Sequence, residues 1–169
     1  MKFFNNIPIW ENRRRLKLLK DFRGLVVTYF DNSDYSWQVE GRIEKPLGKS
    51  TRERINLNLN QVYPVVILGD VSPVMQWTPP PAIGGYIQNI DLLLNIFNLH
   101  NYQLPYNELL GYLDRAIGAY EADQSNSWVR TFNPFWWVNQ LLIWVTHLPF
   151  KFLGLHQIEW VSFIYEPLL

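Results

Sequence analysis

The chain has 169 residues, which is long enough to bury a core. It has no cysteine, so disulfides, thiolate catalysis and Cys-ligated metals are excluded. Charged residues make up only 18% of the chain, below the roughly 25% typical of soluble domains. Apolar residues make up 48%, and this high apolar and low charged content argues against disorder. The net charge is zero, but residues 1–60 hold twelve Lys or Arg against seven Asp or Glu, whereas residues 61–169 hold three against eight.

A short basic helix is predicted over residues 11–23, with its leucines and Phe22 gathered on one side at 100° per residue, and Gly24 is expected to end it. Its basic side chains are candidates for binding anionic lipid. Two alternatives stay open: a solvated helix face, and attraction between the basic first part and the acidic second part of one fold. Nucleic acid is not expected as a partner, because no recognition motif accompanies the basic residues. The candidate anionic-surface residues are Arg13, Arg14, Arg15, Lys17 and Lys20.

Antiparallel strands are predicted between this helix and residue 78. Residues 25–30 are β-branched and aromatic, and residues 35–44 would return beside them after a turn cluster. Residues 55–60 alternate strictly between apolar and polar, and residues 65–68 form a short apolar run. Together they predict three to five strands in a meander or partial barrel.

A Pro/Gly linker is predicted at residues 79–85, where three prolines favour extended geometry and two glycines release it. The predicted organisation is therefore a basic helix plus antiparallel β-unit at 1–78, the linker, and a helical part at 86–169. Within the helical part, apolar periodicity predicts helices over about 86–99 and about 105–123.

The aromatic segment 133–153 is the most informative part of the chain. Asn133 is a good N-cap, Pro134 suits the first helical position, and Pro149 is expected to end the helix. A helix of about 15 residues is about 22 Å long, which is too short to span a bilayer core of about 30 Å. One half of its helical wheel is wholly apolar. The residues expected to face a membrane or a partner are Phe135, Trp137, Val138, Leu141, Leu142, Trp144, Val145 and Leu148.

Two kinds of contact remain open for this helix. Trp137 and Trp144 lie at the seam between its apolar and polar halves, which is typical of a helix in the headgroup plane of a membrane. Against this, only the flanking Arg130 and Lys151 supply positive charge, so a protein interface in an oligomer or larger complex is the alternative. The apolar residues 157–165 that follow fit a helix or a strand equally well.

No catalytic, metal or cofactor motif is found in the sequence. Gly48-Lys49-Ser50-Thr51 lacks the spacing and the strand-to-helix context of a phosphate-binding loop. His100, His147 and His156 are not at metal-ligand spacing. Asp70 and Asp91 are the carboxylates with the least obvious structural role, and an enzyme would need such groups to converge in the fold.

These observations predict an α+β fold with an N-terminal short helix, a small antiparallel β-unit and a C-terminal helical part carrying an aromatic amphipathic helix. The function expected is that of a non-enzymatic, membrane-associated accessory or assembly component, anchored by residues 134–150. Because no export signal is apparent, attachment is expected at the cytoplasmic face of a membrane. The alternative is a soluble interaction module that uses the aromatic helix as its interface, and an enzyme with converging carboxylates is a third class. No small-molecule substrate can be identified.

Overall fold

A computed structural model of the chain describes residues 7–36, 41–79 and 85–152. These residues form five α-helices, one 3-10 helix and two antiparallel two-stranded sheets, which confirms the predicted α+β class. The helices are α1 (Ile9–Asp31), α2 (Pro46–Leu68), α3 (Tyr106–Ala122), α4 (Gln124–Phe132) and α5 (Pro134–Phe152), the strands are β1 (Ser33–Ser36), β2 (Gly41–Glu44), β3 (Val74–Trp77) and β4 (Gln88–Asp91), and the 3-10 helix is Ile96–Tyr102.

Helix α1 is longer than the sequence predicts. It runs for 23 residues, through Gly24 and through residues 25–30, so the predicted helix end and the predicted strand are both wrong. Gly24 costs a helix interior about 1 kcal/mol relative to Ala. The buried side chains of Phe22, Val26 and Tyr29 lie on one face around this position, and their packing outweighs both that cost and the β-propensity of the segment.

Helix α2 covers both of the other strand predictions, at residues 55–60 and 65–68, and those predictions are wrong. Ile55 and Val62 are buried seven residues apart on one face of the helix, whereas Leu57 is 77% exposed. The alternating pattern therefore does not mark a half-buried strand, because Ile55 and Leu59, four residues apart on the helix, face the core while Leu57 between them faces solvent.

The strands form two separate hairpin-like sheets and neither a meander nor a barrel. Strand β1 pairs with β2 from Ser33 opposite Glu44. The single return strand predicted at 35–44 is therefore wrong, because residues 35–36 belong to β1 and residues 41–44 to β2, and its predicted partner, 25–30, is helical. Strand β3 pairs with β4 from Val74 opposite Asp91.

The region predicted as a helix over 86–99 contains β4, a turn and the start of the 3-10 helix, so that prediction is wrong. Leu92, Leu93, Ile96 and Leu99 are nonetheless buried. Their apolar spacing reflects burial in a compact turn and 3-10 helix, which the same periodicity does not distinguish from an α-helix.

Helix α3 agrees with the prediction for residues 105–123, and Pro105 immediately precedes it. Its buried face packs against α1, and its Tyr120 hydroxyl donates to the Val65 carbonyl oxygen of α2 at 2.9 Å. These three helices and the 92–99 region enclose the hydrophobic core. The fully buried side chains of this core include Leu19, Phe22, Val26, Tyr29, Ile55, Val62, Val66, Leu92, Leu93, Ile96, Leu109, Leu113 and Tyr120.

The chain divides into two compact units, Met1–Trp128 and Val129–Leu169, with the boundary inside α4. The sequence instead places its change of architecture at 79–85, of which residues 80–84 lie outside the described part. The structural boundary and the predicted boundary differ because β3 and β4 flank the predicted linker and pair with each other. The chain on both sides of the linker therefore belongs to the first unit.

Candidate functional site

Helix α5, in the second unit, begins where the sequence predicts. The Phe135 backbone N–H donates to Asn133 Oδ1 at 3.0 Å, and the Trp136 N–H donates to the Asn133 carbonyl oxygen at 3.1 Å. Asn133 is therefore an N-cap. The predicted end at Pro149 is wrong, because the helix continues to Phe152. A proline removes one backbone hydrogen bond but does not by itself unwind the following turn.

Six of the predicted site side chains on α5 are exposed: Phe135, Trp137, Val138, Leu141, Leu142 and Val145. Phe135 is 83% exposed and Trp137, the least exposed of the set, is 43% exposed. At 100° per residue these side chains cover one continuous arc of about 160°, from Trp137 round to Phe135. The predicted site residues Trp144 and Leu148 lie outside the side chains that the structure describes. The remaining predicted site residues that are exposed on this arc are Val138, Leu141, Leu142 and Val145. Two apolar side chains of α4, Val129 and Phe132, are also exposed but are not among the predicted site residues.

Two tryptophans fix the first turn of α5. The Trp136 and Trp137 rings meet edge to face, with centroids 4.8 Å apart, and the Trp137 Nε1–H donates to the Thr131 carbonyl oxygen at 2.8 Å. The polar edge of Trp137 is thus bonded within its own unit, and its ring borders an open apolar groove with Val138 and Leu141. Trp137 therefore contributes apolar surface, and its N–H is not left for a headgroup.

Two of the five predicted basic-site residues are paired within one turn of α1. Glu11 accepts a bidentate contact from Arg14, at 2.7 and 2.8 Å, and a third bond from the Arg15 Nε at 2.7 Å. The Arg14 hydrogen bond, partly offset by burial and reinforced by Arg15, lowers the pKa of Glu11 to about 2. These two arginines therefore carry less unbalanced positive charge than the sequence indicates.

Other basic side chains of α1 contact the C-terminal half of the first unit. Lys20 pairs with Glu121 at 2.6 Å, and Arg23 pairs with Asp114 at 2.5 Å. The Arg13 guanidinium lies 5.4 Å from the Trp128 ring centroid, within the range of a cation–π contact. The charge asymmetry of the sequence is thus used in part inside the fold. Lys17 is exposed.

A buried polar cluster joins α1 to the junction of α3 and α4, and the sequence provides no signal for it. The Asn12 Nδ2 donates to the Tyr120 carbonyl oxygen at 3.1 Å and to Asp123 Oδ2 at 3.4 Å. The Ser127 hydroxyl lies 2.9 Å from both the backbone oxygen and Oδ2 of Asp123. Asn12 and Ser127 are fully buried, so the cluster is a tether between helices and not an accessible site.

The carboxylate of Asp91 has a structural role. Asp91 Oδ2 accepts from the Tyr63 hydroxyl at 2.8 Å, and Oδ1 accepts from the backbone N–H groups of Leu93 and Leu94. Asp70 adopts a left-handed conformation, with φ of 61°, in the turn after α2. In the described ranges, no three His, Asp or Glu side chains group as metal ligands.

Comparison with known proteins gives no assignment. No protein-family model matches the chain, and no curated protein or solved structure matches it either. None of the helices in the described part of the chain has both the length and the apolar character needed to cross a membrane.

Proposed function

We propose that this protein is a non-enzymatic, membrane-associated accessory component that attaches reversibly to one leaflet through α5. The observation that carries the proposal is the exposed apolar arc of about 160° on α5. A helix lying in the plane of the interface immerses about half of its circumference. Packing against a single partner helix requires only a narrow stripe. The width of the arc therefore favours a planar apolar environment.

The expected strength is that of a peripheral contact. Six side chains on the arc, about half exposed, provide roughly 1 kcal/mol each when they leave water, or about 6 kcal/mol before the cost of association. This is comparable with the marginal, reversible binding supplied by one myristoyl chain. Attachment by α5 alone is thus expected to be readily reversible.

Apolar burial dominates the proposed attachment. The polar side of α5 carries the uncharged Asn139 and Gln140, and most predicted basic-site residues of α1 already have partners. A supplementary contribution from the basic N-terminal part is therefore small. Binding should accordingly persist on zwitterionic lipid and in high salt, because salt screens charge but strengthens apolar burial.

Co-sedimentation with phosphatidylcholine vesicles at low and high salt tests the proposal. The wild-type protein should sediment with vesicles at both ionic strengths. Val138→Glu and Leu142→Glu, which place a carboxylate on the arc, should each weaken binding at least tenfold. Leu57→Glu is the matched control, because Leu57 is an exposed leucine of α2 in the other unit. Wild-type protein that stays in the supernatant, or Glu variants that bind like the wild type, would refute the proposal.

One observation favours a second candidate, a soluble interaction module. Phe135, Val138, Leu142 and Val145 follow the 3–4–3 spacing of a coiled-coil seam. On this hypothesis α5 pairs with α5 of a second copy or with a helix of another subunit. Light scattering in the absence of lipid separates the two candidates, since a defined dimer that Leu142→Glu dissociates would favour the interaction module.

A further inference from the structure

The polar side of α5 is uncharged. From Asn133 to Phe150 the chain contains no Lys, Arg, Asp or Glu, and the exposed Asn139 and the half-buried Gln140 lie opposite the apolar arc. Helices that lie in a membrane interface usually carry Lys and Arg on this side, and those charges add attraction to an anionic leaflet. Helix α5 therefore has no electrostatic contribution of its own to hold it at a lipid surface.

The apolar arc of α5 is broad and bulky. It includes the rings of Phe135 and Trp137 together with four aliphatic side chains, all of them exposed. An interfacial helix places such side chains about 5–10 Å deep, at the boundary between headgroups and acyl chains. In a tightly packed leaflet the lipids must be pushed apart to admit them, whereas strong curvature or small headgroups leave apolar gaps that the side chains can fill. Insertion of this arc therefore costs less where the lipids are loosely packed.

The free energy of attachment through α5 is small enough for lipid packing to decide it. The apolar gain is that of a marginal, reversible contact, and no charge on α5 offsets a cost of insertion. A difference of about 1.4 kcal/mol in that cost changes the affinity tenfold. A helix with a basic polar side would stay attached to an anionic leaflet through its charges, whereas α5 depends on how the lipids pack.

The absence of charge also distinguishes between a leaflet and a helical partner as the occupant of the arc. Paired helices use charged side chains beside the apolar seam to set partner and register, and none is present from Asn133 to Phe150. A leaflet of zwitterionic lipid has no register to set and no net charge to match. The uncharged polar side of α5 therefore fits lipid headgroups better than it fits one specific partner helix.

We propose that α5 recognises loosely packed leaflets, such as those of strongly curved membranes, and does not select lipids by headgroup charge. The proposal rests on the proposed function, attachment to one leaflet through α5, and names the kind of leaflet that this attachment favours. The side chains of the apolar arc fill gaps between the acyl chains, while Asn139 and Gln140 face the headgroups and water. Where such gaps are rare, the protein stays in solution.

Flotation of the full chain with phosphatidylcholine vesicles of two sizes tests the proposal. At equal outer-leaflet lipid, vesicles about 30 nm across should bind the protein at least about tenfold more tightly than vesicles about 200 nm across. Adding diacylglycerol, whose small headgroup opens gaps, should restore binding to the large vesicles, whereas adding phosphatidylserine should not. Equal affinity for the two sizes would overturn the proposal and leave the proposed function intact. Binding to neither size would refute both.

Charge added to the polar side of α5 provides a second test. Combining Asn139→Lys with Gln140→Lys should tighten binding to large vesicles that contain phosphatidylserine about tenfold at low salt, and the preference for small vesicles of that lipid should fall below about threefold. Asn56→Lys combined with Asn60→Lys is the matched control, because both asparagines are exposed on α2 in the other unit, and it should retain the wild-type preference. Circular dichroism establishes that each variant is folded. If the α5 double variant keeps the full size preference, the missing charge is not its cause and the proposal is overturned.

Discussion

Replacing Asn12 tests how α1 is held against the junction of α3 and α4. The Asn12 side chain is fully buried, and its Nδ2 bonds both the Tyr120 carbonyl oxygen and the Asp123 carboxylate. Asn12→Ala removes both bonds and leaves a buried carbonyl and a buried carboxylate with fewer partners. The variant should therefore lower the free energy of unfolding of the first unit.

The magnitude follows from three contributions. The bond to a neutral carbonyl is worth about 1 kcal/mol, and the bond to a carboxylate about 2 kcal/mol. In the opposite direction, Asn12 Oδ1 is itself buried without a hydrogen-bond partner, so its removal relieves about 1 kcal/mol. The expected net loss for Asn12→Ala is about 2 kcal/mol. Asn12→Asp should cost more at neutral pH, because it places a second carboxylate beside Asp123.

Urea unfolding monitored by far-UV circular dichroism measures these losses, and a double-mutant cycle with Asp123→Asn isolates the coupling between the two side chains. A coupling energy of about 1 kcal/mol or more is expected. Asn56→Ala is the matched control, because Asn56 is an exposed asparagine on α2 and its replacement should change stability by less than about 0.5 kcal/mol. If Asn12→Ala is as mild as this control, the tether contributes nothing and the reasoning is refuted.

Two further predictions concern acid stability and glycine positions. Glu11 has its pKa lowered from 4.5 to about 2, so its stabilising contribution is complete above pH 4.5 and is lost as the pH falls from 4.5 towards 2. Because Arg14 is largely exposed, solvent screening reduces this contribution to about 1 kcal/mol. The free energy of unfolding of Glu11→Gln should therefore fall less steeply than that of the wild type as the pH is lowered from 4.5 towards 2. Gly48→Ala should lower thermal stability by about 1–3 kcal/mol, since the new Cβ would lie 2.6 Å from the Asn32 carbonyl oxygen. Gly118→Ala, where a Cβ meets nothing within 4 Å, should raise the stability by about 0.5–1 kcal/mol. Melting curves in which Gly48→Ala and Gly118→Ala shift the stability in the same direction would contradict this prediction.

The parts of the fold that could be predicted are those fixed by local chemistry. Helix α3 has a clean 3.6-residue apolar period preceded by Pro105, and α5 has a capping asparagine followed by proline. In both cases the signal lies within a few residues of the feature that it determines. The α+β class also followed from such local signals, although only the β1–β2 hairpin overlaps the predicted strands.

The failures occur where tertiary packing decides between two local structures. Residues 25–30 and 55–60 have strand-like patterns, yet each continues a long helix whose buried face is completed by side chains from the other. Local β-propensity spans only about 1 kcal/mol, which is less than the burial of one core side chain such as Tyr29 or Ile55. For the same reason no local pattern announces Asn12, whose partners are more than 100 positions away in the sequence.

The exposure of the apolar face of α5 could be predicted from the sequence, whereas the pairing of the basic residues of α1 could not, and the role of either as a binding site stays a prediction. The exposed side chains on α5 are among those that the sequence selects, because amphipathic periodicity reports which side chains share a face. The basic residues of α1 are different, since a count of charges does not reveal that Glu11 and Glu121 pair with three of them and cancel two positive charges.

The pairing of α1 therefore changes which interaction can drive attachment to a membrane. Exposed ion pairs contribute only about 0.2–1 kcal/mol each to the fold, but each paired carboxylate also cancels one positive charge in the sum that an anionic surface would attract. Glu11 and Glu121 cancel two of the three positive charges of Arg14, Arg15 and Lys20. The remaining electrostatic contribution of α1 is expected to be smaller than the apolar contribution available on α5. If the protein binds a membrane, the dominant free energy must come from apolar burial, and the lipid headgroup charge should have little effect on its affinity.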